Sequence, residues 1–242
     1  MNTGVGSPSE ADLSALYHRH FIVVPADTPE LLDAAHALRY QVYCVEHQFE
    51  DPALQEGKRE RDRYDAHAVH AVLISKPSGN VVGCVRLILP RGDASSSLPL
   101  WSLLGATERA RLDMFGRDRT AEISRYAIAK MYRRREGESW YPDVGEPSAH
   151  ELRRLVPHMS LGLLQGVGQL AARHHMGTIC AAMAPSLMRL LERFGLVFER
   201  LGPLIDLHGT RQPCLGECEQ LLAGMAERNE DYHRLVAKAY HP

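Results

Sequence analysis

Three charged segments of the chain have residue types and spacings that could do chemistry. The first, residues 60–65, reads Glu-Arg-Asp-Arg-Tyr-Asp, so that carboxylates alternate with arginines. One interpretation is a solvated loop that neutralises itself. In the other, Asp62 and Asp65 anchor the loop through buried ion pairs with arginines elsewhere, such as Arg39 or Arg86. Arg86 supports the second interpretation, because it lies in an apolar run and a buried guanidinium needs a partner.

The second segment, residues 122–126, reads Glu-Ile-Ser-Arg-Tyr within a run typical of a β-strand. On a regular strand Glu122 and Ser124 share one face while Arg125 points to the other. Glu122 and Arg125 can therefore meet in one site only if a β-bulge intervenes, and bulges are frequent next to active sites. The alternative is structural, with Glu122 paired to an arginine and Arg125 to an aspartate.

The third segment is basic and follows the second closely. Residues 130–135 contain four positive charges in six positions, and a glycine follows two residues later. Such a cluster can face a phosphate group or an acidic protein, whereas the simpler interpretation is a solvated face. The residues are Lys130, Arg133, Arg134, Arg135 and Gly137.

Several common catalytic and metal-binding patterns are absent from the sequence. It has no G-x-x-x-x-G-K-[ST], no G-x-G-x-x-G and no G-x-S-x-G segment. The five cysteines form no C-x-x-C pair, and no H-E-x-x-H spacing occurs among the 13 histidines. We therefore predict reduced thiols and no metal site.

Composition limits the class of protein. The 242 residues include 28 Lys and Arg against 30 Asp and Glu, a net charge of −2, which argues against a nucleic-acid-binding protein. No run of about 18 apolar residues could span a membrane, and the N-terminus lacks the pattern of a signal peptide. We therefore expect a cytoplasmic protein, and peripheral membrane association only through a lipid product.

The hydrophobic pattern predicts one mixed α/β domain that must position these segments. Thr28 followed by Pro29 is typical of a helix start, and 77–80 has the composition of a hairpin turn. We predict strands at 21–25, 70–75, 81–89, 121–129, 178–182, 196–201 and 204–207, helices at 11–19, 29–45, 157–175, 187–194 and 217–238, and a connection at 91–120.

Taken in order, these motifs resemble those of the acyl-homoserine-lactone autoinducer synthases and the related N-acyl amino acid synthases. The resemblance runs from about residue 20 to 215. It is closest, in LRYQVYCVEHQFE, EISRYAIAKMYRRR and GPLIDLHGTRQP, to the PEP-CTERM/exosortase-associated acyltransferases. The residues that carry it are Arg39, Tyr43, Phe49, Glu60, Asp62, Tyr64, Asp65, the segment Gly83-Cys84-Val85-Arg86-Leu87, Glu122, Ile123, Ser124 and Arg125.

The resemblance implies the GCN5-related N-acetyltransferase (GNAT) fold. This α/β fold has a central mixed, mostly antiparallel sheet flanked by helices, in which two parallel strands splay apart. Here those strands would be 121–129 and 178–184, and backbone N–H groups near Ala127–Ala129 would stabilise an oxyanion. We expect an N-terminal extension at 1–19, the acyltransferase domain at 20–215 and a helix at 216–242 packed on the same domain.

The implied chemistry is aminolysis of a thioester, which needs alignment, an oxyanion donor and a proton acceptor. Glu122 is the first candidate for the base and Glu60 the second, whereas Ser124 could protonate the leaving thiolate. Arg86 and Arg125 are assigned to the carboxylate of the acceptor or, failing that, to the Asp62/Asp65 loop. Substrate-binding or loop-ordering roles fall to Arg39, Tyr43, Phe49, Asp62, Asp65 and Arg86, and an acyl tunnel to Leu161, Leu163, Leu164, Val167 and Leu170.

Two departures from the family pattern shape the expected substrates. Tyr43 and Phe49 replace the Phe and Trp that autoinducer synthases favour, which weakens S-adenosylmethionine as acceptor. The pyrophosphate loop of CoA-using relatives survives only as Arg134-x-x-Gly137-x-Ser139, which favours acyl carrier protein over CoA as donor. We therefore predict transfer of a fatty acyl chain from acyl carrier protein to an amino acid, with no permanently bound cofactor. The alternatives are an acyl-homoserine-lactone synthase, a CoA-dependent acetyltransferase, and a non-catalytic acyl-binding or scaffold protein of an exosortase system.

Overall fold

The computed structural model describes residues 10–92, 98–130, 149–228 and 230–237. Its strands are β1 Phe21–Pro25, β2 Ala68–Ser75, β3 Val81–Ile88, β4 Thr120–Ile128, β5 Thr178–Met183, β6 Glu199–Arg200, β7 Ile205–Asp206 and β8 Thr210–Glu217. They form one sheet in the order β1-β2-β3-β4-β5-β8-β6, and β7 pairs with β8.

Helices cover both faces of this sheet. The helices are α1 Glu10–His20, α2 Pro29–Arg39, α3 Pro99–Leu103, α4 Ala106–Asp113, α5 Ala149–Arg173, α6 Pro185–Arg193, α7 Cys218–Arg228 and α8 Glu230–Ala237. Helix α2 packs on β2 and β3, and α5 packs on β1 to β4. Neighbouring residues of a strand face opposite sides of the sheet. His70 and Arg86 lie on the side of α2. Ala71 and Val85 lie on the side of α5, next to Gly166.

The helix predicted at 29–45 is confirmed, with a change of winding in its second half. The hydroxyl of Thr28 accepts the N–H of Leu31, and Pro29 occupies the first turn. A π-helix, Tyr40–Glu46, continues α2 directly. Short 3₁₀ turns follow at Pro52–Leu54, Glu56–Lys58 and Arg63–His67. The charged segment 60–65 therefore lies between the end of this helix and β2.

The sheet opens between its only parallel pair of strands in the described part of the chain. Strands β4 and β5 pair through Thr120 with Thr178, Ala121 with Ile179 and Glu122 with Cys180, and separate beyond that point. The remaining strand pairs are antiparallel. A mostly antiparallel sheet with splayed parallel strands confirms the predicted GNAT-like fold class.

A β-bulge interrupts β4 next to this opening. Cys84 of β3 lies opposite Ala127, whereas Arg86 lies opposite Ser124, so β4 uses one residue more than β3 over the same length. Arg125 takes up the extra residue with a φ of 49°, in the left-handed region that non-glycine residues rarely adopt. The structure therefore contains the bulge that Glu122 and Arg125 need in order to share one site.

Strand β8 was missed at the sequence level, because Pro213 and Gly216 argue against a central strand. The strand tolerates Pro213 because its carbonyl accepts the N–H of Leu201, one residue past the end of β6. In an extended strand the N–H and the C=O of one residue point to the same side of the strand. The N–H that Pro213 lacks would therefore point to the side where the ladder with β6 has already ended.

Five further predicted segments differ in the structure. The connection at 91–120 contains α3 and α4, and the predicted strands at 196–201 and 204–207 shrink to the two-residue strands β6 and β7. Helix α5 begins at Ala149 rather than 157, and the last helix is divided into α7 and α8. Within the described residues, no helix combines the length and apolarity that crossing a membrane requires.

Candidate active site

A cavity of about 610 Å³ lies where β4 and β5 separate. Glu122 and Ile123 are neighbours on β4 and both line it, so the cavity reaches both faces of the sheet. Its charged part lies on the face of α2 and the 3₁₀ turns, and its apolar part on the face of α5 and α6. The charged lining includes Glu50, Glu60, Asp62, Arg86, Glu122 and Arg125, and the apolar lining includes Ile123, Leu164, Ala181, Met183, Leu187 and Leu191.

Arg39, at the end of α2, is fully buried and organises the charged face. Its Nη1 and Nη2 donate to the two carboxylate oxygens of Asp65 at 2.6 and 3.0 Å, and its Nε donates to Glu60. His70 on β2 lies beside both groups, 3.1 Å from Arg39 and 3.2 Å from Asp65. Burial alone would raise the pKa of Asp65, but hydrogen bonds from His70 and Arg39 lower it far below its usual range.

Arg86 on β3 completes the anchoring of the same loop. Its Nη1 and Nη2 bind the two oxygens of Asp62 at 2.7 and 2.9 Å, and its Nη1 also donates to Asp65 at 2.9 Å. The loop is closed locally by a capping box, in which the N–H of Tyr64 donates to Asp62 and the N–H of Asp62 donates to Asp65. These contacts confirm that buried ion pairs with Arg39 and Arg86 anchor Asp62 and Asp65.

The bulge turns Arg125 toward the acidic face of the cavity. Its Nη2 donates to Glu60 and Glu50 at 2.8 Å each, and its guanidinium carbon lies 5.0 Å from the centre of the Tyr43 ring. A weaker contact of 3.3 Å reaches Asp62. The sequence alternative paired Arg125 with one aspartate, whereas in the structure its side chain contacts three carboxylates.

Glu60 is held between two guanidinium groups, which disfavours it as a base. Burial would raise its pKa, but hydrogen bonds from Arg125 and Arg39 outweigh burial and lower it. Arg86 and Arg125 are likewise engaged by carboxylates of the chain itself. The geometry therefore favours their loop-fixing alternative over a role in holding the carboxylate of an acceptor.

Glu122 differs from every other carboxylate of the cavity. Its side chain is 4% exposed, and it accepts the N–H of Leu100 at 2.8 Å rather than a guanidinium. Burial raises its pKa to about 8, against smaller opposing contributions from the Leu100 hydrogen bond and the charge of Arg86. The alternative in which Glu122 pairs with an arginine does not hold, because Arg86 binds Asp62 and Arg125 binds Glu60 and Glu50.

Ser124 lies two residues from Glu122 on β4, whereas the expected oxyanion donors at 127–129 lie at and just beyond the end of that strand. The Ser124 hydroxyl accepts the Nε–H of Arg86 at 2.9 Å, which leaves its own proton for another acceptor. The N–H of Ala129 already donates to the carbonyl of Val82 at 2.9 Å, so it is not an available oxyanion donor. For the rest of 127–129 the oxyanion role stays a prediction.

Three contributors to the site carry no recognisable sequence signal. Leu100 precedes Trp101 in a helix that was expected to be a connection, and Glu50 simply follows Phe49. His208 stacks on the Phe49 ring at 4.9 Å, and its Nε2 lies 3.9 Å from Glu50. His208 reaches the cavity because β8 folds back beside β5, which the sequence pattern did not show.

The two remaining groups of predicted site residues have separate outcomes. Of the five apolar residues assigned to a tunnel on α5, Leu164 lines the cavity, whereas Leu161, Leu163, Val167 and Leu170 lie in the core without lining it. In the basic cluster Lys130 is exposed and its backbone N–H donates to Glu46. Arg133, Arg134, Arg135 and Gly137 lie outside the described residues.

His36, Asp65 and His70 place three metal-ligand atoms within 4.8 Å of one another. Two of the three side chains already bind guanidinium groups, since Arg39 donates to both oxygens of Asp65 and Arg61 donates to Nδ1 of His36 at 3.1 Å. Burial lowers the pKa of His36 to about 4. A cation here would have to displace these guanidinium contacts, and the absence of a metal stays a prediction.

The ion-paired carboxylates of the cavity face, Glu60, Asp62 and Asp65, predict a steep loss of stability in acid. Glu60, Asp62 and Asp65 have lowered pKa values in the folded protein, so below about pH 4 the unfolded chain binds protons that the folded chain does not. Urea unfolding at pH 7 and pH 3 should show a smaller difference for Asp62→Asn than for the wild type. Exposed Asp118→Asn should keep the wild-type difference. An equal difference in all three would contradict the prediction.

Comparison with known proteins agrees with the observed fold. Residues 38–141 match the family described as acetyltransferase (GNAT) domain. The acyl-homoserine-lactone synthase of Vibrio anguillarum is 25% identical over 190 residues, covering 78% of this chain and 83% of that protein.

Solved structures share the fold at lower sequence identity. The acyl-homoserine-lactone synthase LasI has a TM-score of 0.54 at 19% identity, covering 81% of this chain and 89% of its own. FeeM, an N-acyl amino acid synthase from uncultured soil microbes, has a TM-score of 0.55 at 16% identity, covering 84% and 93%. These structures show that the chain has the GNAT-like fold. The matches to the GNAT domain and to the synthase of Vibrio anguillarum support an acyltransferase.

Proposed function

We propose that this acyltransferase moves a fatty acyl group from the phosphopantetheine thioester of acyl carrier protein to the amine of an amino acid or a similar small acceptor. The observation that carries the proposal is the position of Glu122, a buried carboxyl with a pKa of about 8 in a cavity that is apolar on the opposite face of the sheet. A pKa in this range suits a group that takes a proton from an amine near neutral pH.

In the proposed reaction the amine nitrogen attacks the thioester carbonyl. A C–N bond forms, the carbonyl oxygen becomes an oxyanion, and the nitrogen transfers a proton to ionised Glu122. As the C–S bond breaks, the departing thiolate takes a proton from the Ser124 hydroxyl, which regains one from Glu122. Because Glu122 and Ser124 are two residues apart on one strand, they face the same side of the sheet.

The apolar part of the cavity supports a long acyl donor rather than acetyl. Side chains from β4, β5, α5 and α6 enclose it, and they include Ile123, Leu164, Leu187 and Leu191. Each buried methylene contributes roughly 0.8 kcal/mol to binding, so such a lining favours a chain over a two-carbon group. The basic residues 130–135 support a carrier protein as donor, because these carriers are acidic.

A second candidate acceptor is S-adenosylmethionine, which would make the protein an acyl-homoserine-lactone synthase. The sequence similarity to the acyl-homoserine-lactone synthase of Vibrio anguillarum favours it. The charge of the cavity does not separate the two acceptors. Four arginines line it, Arg61, Arg86, Arg125 and Arg211, against three carboxylates, Glu50, Glu60 and Asp62, while Glu122 is protonated. This positive excess would attract the carboxylate that both kinds of acceptor carry.

Turnover with defined substrates separates these candidates. The purified protein is incubated with acyl carrier protein carrying C6 to C16 chains, or with the matching acyl-CoA, and with pooled amino acids or S-adenosylmethionine. Mass spectrometry then identifies the products. N-acyl amino acids would support the first candidate and lactones the second, and faster turnover with CoA would overturn the carrier as donor. Thioester binding without product would indicate a non-catalytic acyl-binding protein and contradict both candidates.

A further inference from the structure

A second, smaller cavity lies behind the apolar part of the main one. Its volume is about 50 Å³, and every residue that lines it is apolar or glycine. Two side chains, Ile123 of β4 and Leu164 of α5, line both cavities and therefore separate them. The remaining lining residues are Val167, Gly168, Ala171, Ile179, Leu196, Phe198, Cys218, Leu221, Leu222 and Val236.

We propose that Ile123 and Leu164 form a partition that ends the acyl-binding part of the main cavity and so sets the longest acyl chain that the protein accepts. The inference rests on the proposed function, in which the acyl chain occupies the apolar face. Both side chains are 8% exposed and belong to the main hydrophobic core, so they form a packed wall.

The small cavity is the space that a longer chain would enter if the partition were removed. An engineered apolar cavity of about 150 Å³ holds the six carbons of benzene, so 50 Å³ corresponds to roughly two methylene groups. Its lining has no side chain that would bind water, and an apolar void of this kind takes up hydrocarbon rather than solvent.

Leu163 offers a matched comparison with Leu164. The two leucines are neighbours on α5, yet Leu163 is fully buried in the core and lines neither cavity. Because successive residues of an α-helix point about 100° apart, the same substitution at the two positions opens space in different places. Of these two substitutions, we expect only Leu164→Ala to join the two cavities.

The test measures kcat/KM for a series of acyl carrier proteins whose chains grow by two carbons. Leu164→Ala should raise the preference for the chain two carbons longer than the wild-type optimum by roughly fifteen-fold, at about four-fold for each methylene buried. Leu163→Ala should leave the order of preference unchanged. An unchanged optimum in active Leu164→Ala would overturn the partition, whereas a wild type that acylates no amine with any chain would overturn the proposed function instead.

Two further variants protect the test against loss of folding. Ile123→Val removes a single methyl group from the same partition, and it should shift the preference in the same direction by a few-fold if Leu164→Ala does not fold. Gly168 lines only the small cavity, and a methyl group there would meet Val236 at an ordinary contact distance of 3.8 Å. Adding Gly168→Ala to Leu164→Ala should reverse part of the gain, and an undiminished gain would overturn the assignment of the small cavity.

Discussion

Replacing Glu122 with glutamine is expected to lower kcat/KM for acyl transfer by about 10²- to 10⁴-fold, the usual contribution of a general base. Glutamine keeps the shape of the side chain and can still accept the N–H of Leu100, but it cannot take a proton. The fold should therefore survive while proton transfer is lost. The measurement is steady-state turnover with the best thioester and amine pair, with circular dichroism as the check on folding.

The pH dependence of the same variant distinguishes a base from a packing residue. Wild-type kcat/KM should rise with pH through about 8, because both Glu122 and the amine of the acceptor lose a proton there. In the residual activity of Glu122→Gln the rise should be less steep, because only the amine still titrates. Exposed Glu192→Gln on α6 should behave as the wild type does. Full activity of Glu122→Gln, or an unchanged pH profile, would show that another group accepts the proton.

The pH dependence of stability gives an independent measure of the pKa of the Glu122 carboxyl. Its pKa is raised from 4.5 to about 8 on folding, so between these values the folded protein binds a proton that the unfolded chain has lost. Stability should therefore fall as the pH rises through this window, and Glu122→Gln should remove that contribution. Below pH 6.5, buried His36 acts in the opposite sense, since its pKa is lowered to about 4. The clearest comparison is thus urea unfolding at pH 6.5 and pH 8.5.

Replacing Arg39 with methionine is expected to lower the free energy of unfolding by about 3–5 kcal/mol. The reason is desolvation, because the variant leaves the carboxylates of Glu60 and Asp65 buried or half-buried without the guanidinium that binds both. Arg125 still reaches Glu60, and Arg86 still reaches Asp65, so the loop should loosen rather than detach. The urea midpoint measures the loss.

Arg59 provides the matched control for Arg39. It also binds one carboxylate through two nitrogen atoms, with Nε and Nη2 at 2.8 and 2.7 Å from the two oxygens of Asp33. This pair is solvent-exposed, so Arg59→Met should leave the urea midpoint close to the wild-type value. Equal effects of the two substitutions would show that burial of the Arg39 network contributes nothing to its strength.

The sequence by itself determined much of the fold, because its signals there are local. The proline stop after β1, the Thr28 cap, the hairpin turn at 77–80 and the period of α2 each depend on a few neighbouring residues. Strand β8 was not predicted, because packing with its neighbours overrides the local signal of Pro213 and Gly216.

The sequence also identified the residue types of the site and the condition under which they meet. An arginine in an apolar strand required buried carboxylates, and Asp62 and Asp65 supply them to Arg86. Likewise, Glu122 and Arg125 could share a cavity only through a bulge, and the bulge is present. Both inferences used general costs of buried charge and strand geometry, which hold in any fold.

Only the tertiary structure decided which partner each charge takes, and hence which carboxyl is free to titrate. Glu60 and Glu122 are both buried glutamates, but Glu60 lies between two arginines and Glu122 meets a backbone N–H. Their pKa values move in opposite directions for that reason. The partners come from segments 21 to 65 residues away, and the distances between them are set by how the sheet and helices pack, which local sequence does not encode.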